Sequence, residues 1–329
     1  MKIAVLTSKS RFEKFTDPEM IPEGTEIVHI GPEYTDDDVV RQAGDAEVIV
    51  VDAVLPVTAS LIERMPRLRL IHSEGVSFNL IDLEAAARAG VYVCNNRAVN
   101  AGQVAEHSVM LILAVMRRLL EGDAEVRAGR QAAAKSRFIV DGLHDLTECS
   151  VGLIGFGAIG RELARRLGPF GCRLYYTDPI RAGEELEREH RIEYLERDEL
   201  LRTCDVVTLH VPVTPETTNL ICARTLRLMK KNAILINCAR GLVVNSQDLA
   251  DAIRSGTIYG AGLDTMEPEP VPADDPLILL PEPYKYRVVF SPHVAGTTLS
   301  VFRSAYKNIW SNIAAAEEGR RPVNVVNGI

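Results

Sequence analysis

Two patterns alternate over the first hundred residues. Short apolar runs rich in β-branched side chains recur: KIAVL from Lys2, TEIVHI from Thr25, VIVVDA from Val48, LRLIHS from Leu68 and VYVCN from Val91. They are nearly continuous rather than alternating, the pattern of parallel strands covered on both faces. Between them, residues 36–43, 58–65 and 83–89 carry helical spacing. This β-α alternation predicts an α/β fold built on an open, doubly wound parallel sheet.

The rhythm changes near Asn100. AGQVAEHSVMLILAVMRRLLEG, from Ala101, reads as one long helix, apolar over most of its circumference and closed by Arg117 and Arg118. A helix that apolar must be buried, and a position between two domains suits it. A second helix and an irregular stretch at 135–147 follow. A second β-α series then starts at Ser150, with strands SVGLIG, RLYYTD, VVTLHV, AILINCA, YGAGLDT and VVFSPH. The expectation is two sheets, of about five and six strands. A last helix at 300–318 and the segment PVNVVNGI close the chain.

Length agrees with this division: 329 residues suit two domains at roughly 100–200 residues each. Lys and Arg number 37 against 45 Asp and Glu, a net charge of −8, which argues against nucleic acid or an anionic membrane as partner. An acidic ligand would need a local cation. The six cysteines are scattered with no C-x-x-C pair, so they read as reduced thiols of a cytoplasmic protein, and no metal site is expected. The start of the chain has no signal-peptide core. The longest strongly apolar stretch, 109–116, is far below the roughly 18 residues of a membrane span.

The strongest local motif is VGLIGFGAIG from Val151, a G-x-G-x-x-G formed by Gly155, Gly157 and Gly160. Gly155 allows the tight turn, Gly157 lets backbone approach a pyrophosphate, and Gly160 lets the following helix (159–167) pack on its strand. The N-terminus of that helix would face the phosphates with free N–H groups. The motif follows one strand, and the next strand ends at Asp178, 18 residues past Gly160. A carboxylate there accepts from ribose hydroxyls and repels a 2′-phosphate, which favours NAD over NADP. Arg181 is a mild counter-signal. Three polar residues stand at later strand ends: Arg240, Glu269 and His293. Together they are what keto-acid reduction requires: a guanidinium fork for a carboxylate, an acid-base imidazole, and a carboxylate to orient it.

With these motifs in order, the chain resembles the D-isomer-specific 2-hydroxyacid dehydrogenases over nearly its whole length. The blocks are GVSFNLIDLEAAARAGVYVCNN from Gly75, NAGQVAEHSVMLIL from Asn100, the glycine turn and LHVPVTPETTNLI from Leu209. NCARGLVVNSQDLADAIRSGTIYGAGLDTMEPEP from Asn237, SPHVAGTT from Ser291 and the PVNVVN tail complete them. The resemblance implies a flavodoxin-like substrate domain formed by residues 1–99 and 299–329. An NAD-binding Rossmann domain, 100–298, would be inserted into it, with the active site in the cleft between them. It implies a homodimer joined through the NAD-binding domain, a small 2-hydroxy or 2-oxo acid as substrate, and no regulatory domain.

By the same resemblance, Arg240 would bind the substrate carboxylate and His293 would be the acid-base group. Glu269, rather than the nearer rival Glu267, would hold His293, because it stands five residues after Asp264. Backbone N–H groups around Glu74, Gly75 and Val76 would take the other end of the carboxylate. The remaining cofactor contacts implied are Val104, Ala158, Ile159, Asp178, His210, Val211, Pro212, Thr217, Cys238, Ala239, Asp264 and Gly296, with Arg240 and His293 beside the nicotinamide. Asp264 would orient the carboxamide, and His107 would be structural. The family's Arg-x-Gly-x-Trp element is missing, CNNRAVN replaces the usual Asn-Thr-Pro-type turn, and Asn79 stands where Asp is usual. Phosphite dehydrogenases share the Arg, Glu and His. A nucleotide-sensing co-repressor on the same fold is the alternative from a non-enzymatic class.

Overall fold

The computed structural model describes all residues, Met1–Ile329. The chain divides into two compact units: a terminal unit of Met1–Val99 with Thr297–Ile329, and a central unit of Asn100–Gly296.

In the terminal unit, five strands β1 (Lys2–Leu6), β2 (Glu26–His29), β3 (Val48–Val51), β4 (Leu70–Ser73) and β5 (Tyr92–Cys94) form a sheet in the order β2-β1-β3-β4-β5. Every pairing is parallel. The continuous apolar runs have a direct cause. On β1, Ala4 and Leu6 pack into one buried cluster, while Ile3 and Val5 pack into another on the opposite face. The second cluster includes Tyr306, Ile309, Trp310 and Ile313 of the last helix, Leu299–Glu317. The end of the chain thus covers the sheet its beginning forms. Helices Asp36–Ala43, Ala59–Glu63 and Leu83–Arg88 lie where their spacing placed them, each opened by a side-chain cap from Thr35, Thr58 or Asp82.

The central unit carries seven parallel strands, one more than its pattern predicts. They are β6 (Ser150–Ile154), β7 (Arg173–Thr177), β8 (Ile192–Tyr194), β9 (Val206–Leu209), β10 (Ile234–Asn237), β11 (Gly260–Leu263) and β12 (Val288–Phe290), in the order β12-β11-β10-β9-β6-β7-β8. The extra strand is β8, a three-residue edge whose middle residue, Glu193, is exposed, so it lacks the apolar run that marks the others. Two further expectations are corrected. The long helix stops at Met116, and a separate helix, Leu119–Arg127, follows. Between them Arg118 takes a left-handed backbone (φ 52°), and its guanidinium bridges Glu121 (2.8 Å) and Asp141 (2.6 Å) over the Phe138 ring. Residues 135–141, read as irregular, belong to helix Gln131–Asp141. No helix of the chain is long and apolar enough to cross a membrane. Two parallel sheets flanked by helices confirm the α/β fold class.

Candidate active site

In the central unit the residues of interest gather at the carboxyl ends of the strands, where open α/β sheets bind ligands. β6 runs into the glycine turn. Gly155 has φ +100°, and a Cβ there would stand 2.4 Å from the His210 carbonyl oxygen. A Cβ on Gly160 would stand 2.4 Å from the Gly155 carbonyl oxygen. Around Gly157, by contrast, a Cβ would meet nothing within 4 Å. The helix Ala158–Leu167 starts there with no side-chain cap, so its first N–H groups and positive dipole end are free for a phosphate. Asp178, at the end of β7, is held in place: its carboxylate accepts from the N–H of Phe156 (2.8 Å) and of Ile180 (3.0 Å). Arg181 is drawn away to Glu187 (3.0 Å). An open backbone cradle, an uncapped helix start and an oriented acid fit a dinucleotide.

The other expected contact positions differ in availability. Val104 and Cys238 are buried, 4% and 7% exposed, within the core cluster of this unit, and burial pushes the Cys238 thiol up to about 12. Ala239 is likewise buried, and Gly296 lies against Asn100. Past β9, burial pushes His210 down to about 4. Its Nε2 meets Thr208 Oγ1 at 2.9 Å, and its Nδ1 has no partner. Val211 and Pro212 open a loop tied by Thr217, whose hydroxyl donates to the Pro212 carbonyl (2.6 Å).

Arg240, Glu269 and His293 follow β10, β11 and β12 respectively. Arg240 follows β10, is exposed, donates to the Ala239 carbonyl (2.7 Å), and forms no ion pair. Its loop is pressed against the segment after β11, since a Cβ on Gly241 would lie 2.1 Å from the Met266 carbonyl. That segment carries Glu269. Both of its carboxylate oxygens lie within hydrogen-bond distance of His293 Nδ1, at 2.8 and 2.9 Å. Glu267 makes no such contact, so the ring is held by Glu269. Nδ1–H donates to the carboxylate, leaving Nε2 for another partner.

His293 has a left-handed backbone (φ 54°), a conformation costing about 1–3 kcal/mol in a non-glycine residue. Sequence reasoning missed what imposes it. The 2% exposed Asp264 accepts from Ser291 Oγ (2.6 Å), Val294 N–H (3.0 Å) and Ala295 N–H (3.0 Å), and its own carbonyl accepts from His293 N–H (2.9 Å). His107 joins this web through Ser291 Oγ (2.8 Å). With three of about four acceptor positions filled, Asp264 chiefly clamps the loop that presents His293. The only sequence signal was that Asp264, Ser291 and His293 follow adjacent strands.

In the terminal unit one expectation needs correction. The Glu74 N–H is committed to the Val51 carbonyl (2.8 Å), so it has no bond to offer a substrate. The N–H groups of Gly75 and Val76 have no acceptor. The three carbonyls of the segment are tied back: Glu74 to Asn96 Nδ2 (2.9 Å), Gly75 to Asn96 N–H (2.8 Å) and Val76 to Asn95 Nδ2 (2.6 Å). The unusual CNN segment therefore orients two free N–H groups. The Glu74 side chain is buried, where desolvation pushes its carboxyl up against the opposing pull of Tyr306, Arg11 and Thr7.

With this geometry in place, likeness to known proteins is informative. The model of the D-isomer specific 2-hydroxyacid dehydrogenase NAD binding domain matches residues 109–295. The chain belongs to that family. A glyoxylate reductase of Korarchaeum cryptofilum is 36% identical over 289 residues, covering 88% of this chain and 85% of the relative. One from Thermococcus litoralis is 35% identical over 321 residues, covering 96% and 90%. Among solved structures, the NAD-complexed D-isomer specific 2-hydroxyacid dehydrogenase of Lactobacillus delbrueckii ssp. bulgaricus superposes with a TM-score of 0.82 at 26% identity, covering 99% of this chain and all of that one. This D-2-hydroxyacid dehydrogenase is thus an oxidoreductase that binds NAD(H) and interconverts a small 2-hydroxy acid and its 2-oxo acid. Neither the phosphite nor the co-repressor reading is favoured.

Proposed function

We propose that this dehydrogenase works as a reductase of short 2-oxo acids such as glyoxylate, with NADH rather than NADPH. The observation that carries the reading is the His293–Glu269 pair with Nε2 unengaged, beside an Arg240 that has no carboxylate of its own. Bound nicotinamide dinucleotide supplies the hydride to the carbonyl carbon. Arg240 takes the substrate carboxylate and polarises the ketone; in the terminal unit, the free N–H groups of Gly75 and Val76 are donors suited to a carboxylate. As the C=O π bond gives way, His293 transfers its Nε2 proton to the oxygen, producing the alcohol. Glu269 stabilises the imidazolium before transfer and fixes its orientation. In this reading Asn100–Gly296 is the cofactor domain and the terminal unit the substrate domain.

NADH preference is supported by Asp178, already oriented toward the glycine turn, and by the engagement of Arg181 with Glu187. The relatives' names support glyoxylate. A homodimer through the cofactor domain is supported by Leu119, Val126, Ile139 and Val140, which are 54–85% exposed on helices Leu119–Arg127 and Gln131–Asp141. Six free cysteines suit a cytoplasmic location. The test is NADH and NADPH oxidation with glyoxylate, hydroxypyruvate and pyruvate. Turnover with NADH at least about tenfold more efficient than with NADPH is expected, and no turnover with any acid would overturn the reading.

A further inference from the structure

Three neighbouring strands of the terminal unit, β1, β3 and β4, end in a buried ionic cluster that the reaction itself does not use. Thr7 and Arg11 follow β1, Asp52 follows β3, and Glu74 follows β4. The Glu74 carboxylate, 5% exposed, accepts from Thr7 Oγ1 (2.9 Å), Arg11 Nε (2.8 Å), Arg11 Nη2 (2.5 Å) and Tyr306 Oη (2.5 Å). Arg11 Nη2 also pairs with Asp52, and these two side chains keep 29% and 21% exposure. One guanidinium thus serves two carboxyl groups, and of the two acids Asp52 is the one on the accessible side. These bonds also tie the ends of β1 and β4 to the last helix through Tyr306, and they do so with charged groups although charge taken out of water is costly.

The cluster adjoins the free N–H pair. Glu74 immediately precedes Gly75, and a Cβ built on Gly75 would lie 2.8 Å from the Ala53 Cβ. The Val54 N–H bonds Asp52 Oδ1 (3.2 Å), which fixes the loop. A substrate whose carboxylate rests on the Gly75 and Val76 N–H groups therefore lies beside the loop that carries Asp52.

We infer that Arg11, Asp52 and Glu74 set the substrate class of this site: they admit 2-oxo acids whose far end is hydrogen or a small neutral group, methyl or hydroxymethyl, and exclude those carrying a second anion. The inference rests on the reductase reading above and on Gly75 and Val76 as carboxylate donors. A hydroxyl finds an acceptor in Asp52, whereas a carboxylate or phosphate meets like charge in a partly desolvated setting, where repulsion is far stronger than in water.

The test uses matched pairs with the full chain and NADH: hydroxypyruvate against its 3-phosphate, and pyruvate against oxaloacetate. The second anion should lower kcat/KM at least about tenfold in the unaltered enzyme, a ratio worth about 1.4 kcal/mol. Asp52→Asn should narrow that ratio, and Arg11→Gln should widen it, because the first removes and the second adds net negative charge. Opposite movements of an internal ratio do not arise from partial unfolding, and Asp52→Asn alone suffices if Arg11→Gln does not fold. Equal use of both members of each pair by the unaltered enzyme, or the same ratio in Asp52→Asn, would overturn the inference. Absence of turnover with every acid would instead overturn the parent reading.

Discussion

In the proposed reduction, Arg240 is the residue that meets the substrate's carboxylate. It is exposed, engaged only by a neighbouring carbonyl, and free of any carboxylate. A lysine there keeps the charge and loses the planar two-pronged donor, so Arg240→Lys should lower kcat/KM for glyoxylate by about 10–10³-fold, read in steady-state kinetics against an unchanged melting temperature. Buried polar residues speak to stability instead. His72 on β4 is fully buried, with Nδ1–H donating to the Ser73 carbonyl (2.8 Å) and Asn312 Nδ2–H donating to Nε2 (3.0 Å). This arrangement needs the neutral ring, and burial pushes its pKa down to about 4 from 6.5. A depressed pKa means the folded chain resists a proton that the unfolded chain accepts. The contribution, on the order of 3 kcal/mol, is therefore complete above pH 6.5 and is lost as pH falls toward 4. Denaturant midpoints between pH 7 and 4 should fall less steeply in His72→Asn than in the unaltered chain.

At the scale of elements, the groups proposed to react are set by loops pressed together rather than by strands. Gly241 is the tightest of these joints, and Gly241→Ala should cost about 1–3 kcal/mol of stability and lower kcat/KM by moving Arg240 relative to Glu269. Calorimetry and kinetics on that variant would show both, and wild-type values for both would refute the joint's importance. The same scale explains what sequence could reveal. The two-faced burial of Ile3 to Leu6 writes itself as a continuous apolar run, and capping by Thr35 or Asp82 marks helix starts. Strand β8 has no such run, and helix Gln131–Asp141 lies largely exposed with only Ala134 buried, so neither left a legible pattern. The break at Arg118 comes from a backbone choice backed by ion pairs from residues 121 and 141, which no local spacing encodes.

Across the whole chain, the glycine turn, Asp178, Arg240, Glu269 and His293 were readable because each stands just past a strand, where the fold puts chemistry. The Asp264 clamp, the Asn95–Asn96 tie and the Arg11–Asp52–Glu74 cluster were not, because each joins strand ends far apart in sequence. Assembly is a property of the same scale. Val140 is 85% exposed beside Ile139; under the proposed homodimer, Val140→Asp should shift the sedimentation mass from dimer to monomer, whereas an unchanged mass would remove this face from the interface.

The central claim is that His293 delivers the proton while Glu269 holds it. Asparagine tolerates the left-handed backbone of position 293, so His293→Asn removes the acid-base group without adding strain. In NADH-dependent glyoxylate reduction, its kcat should fall by about 10²–10⁴-fold while NADH binding, followed by fluorescence, persists. Wild-type kcat in that variant would contradict the account.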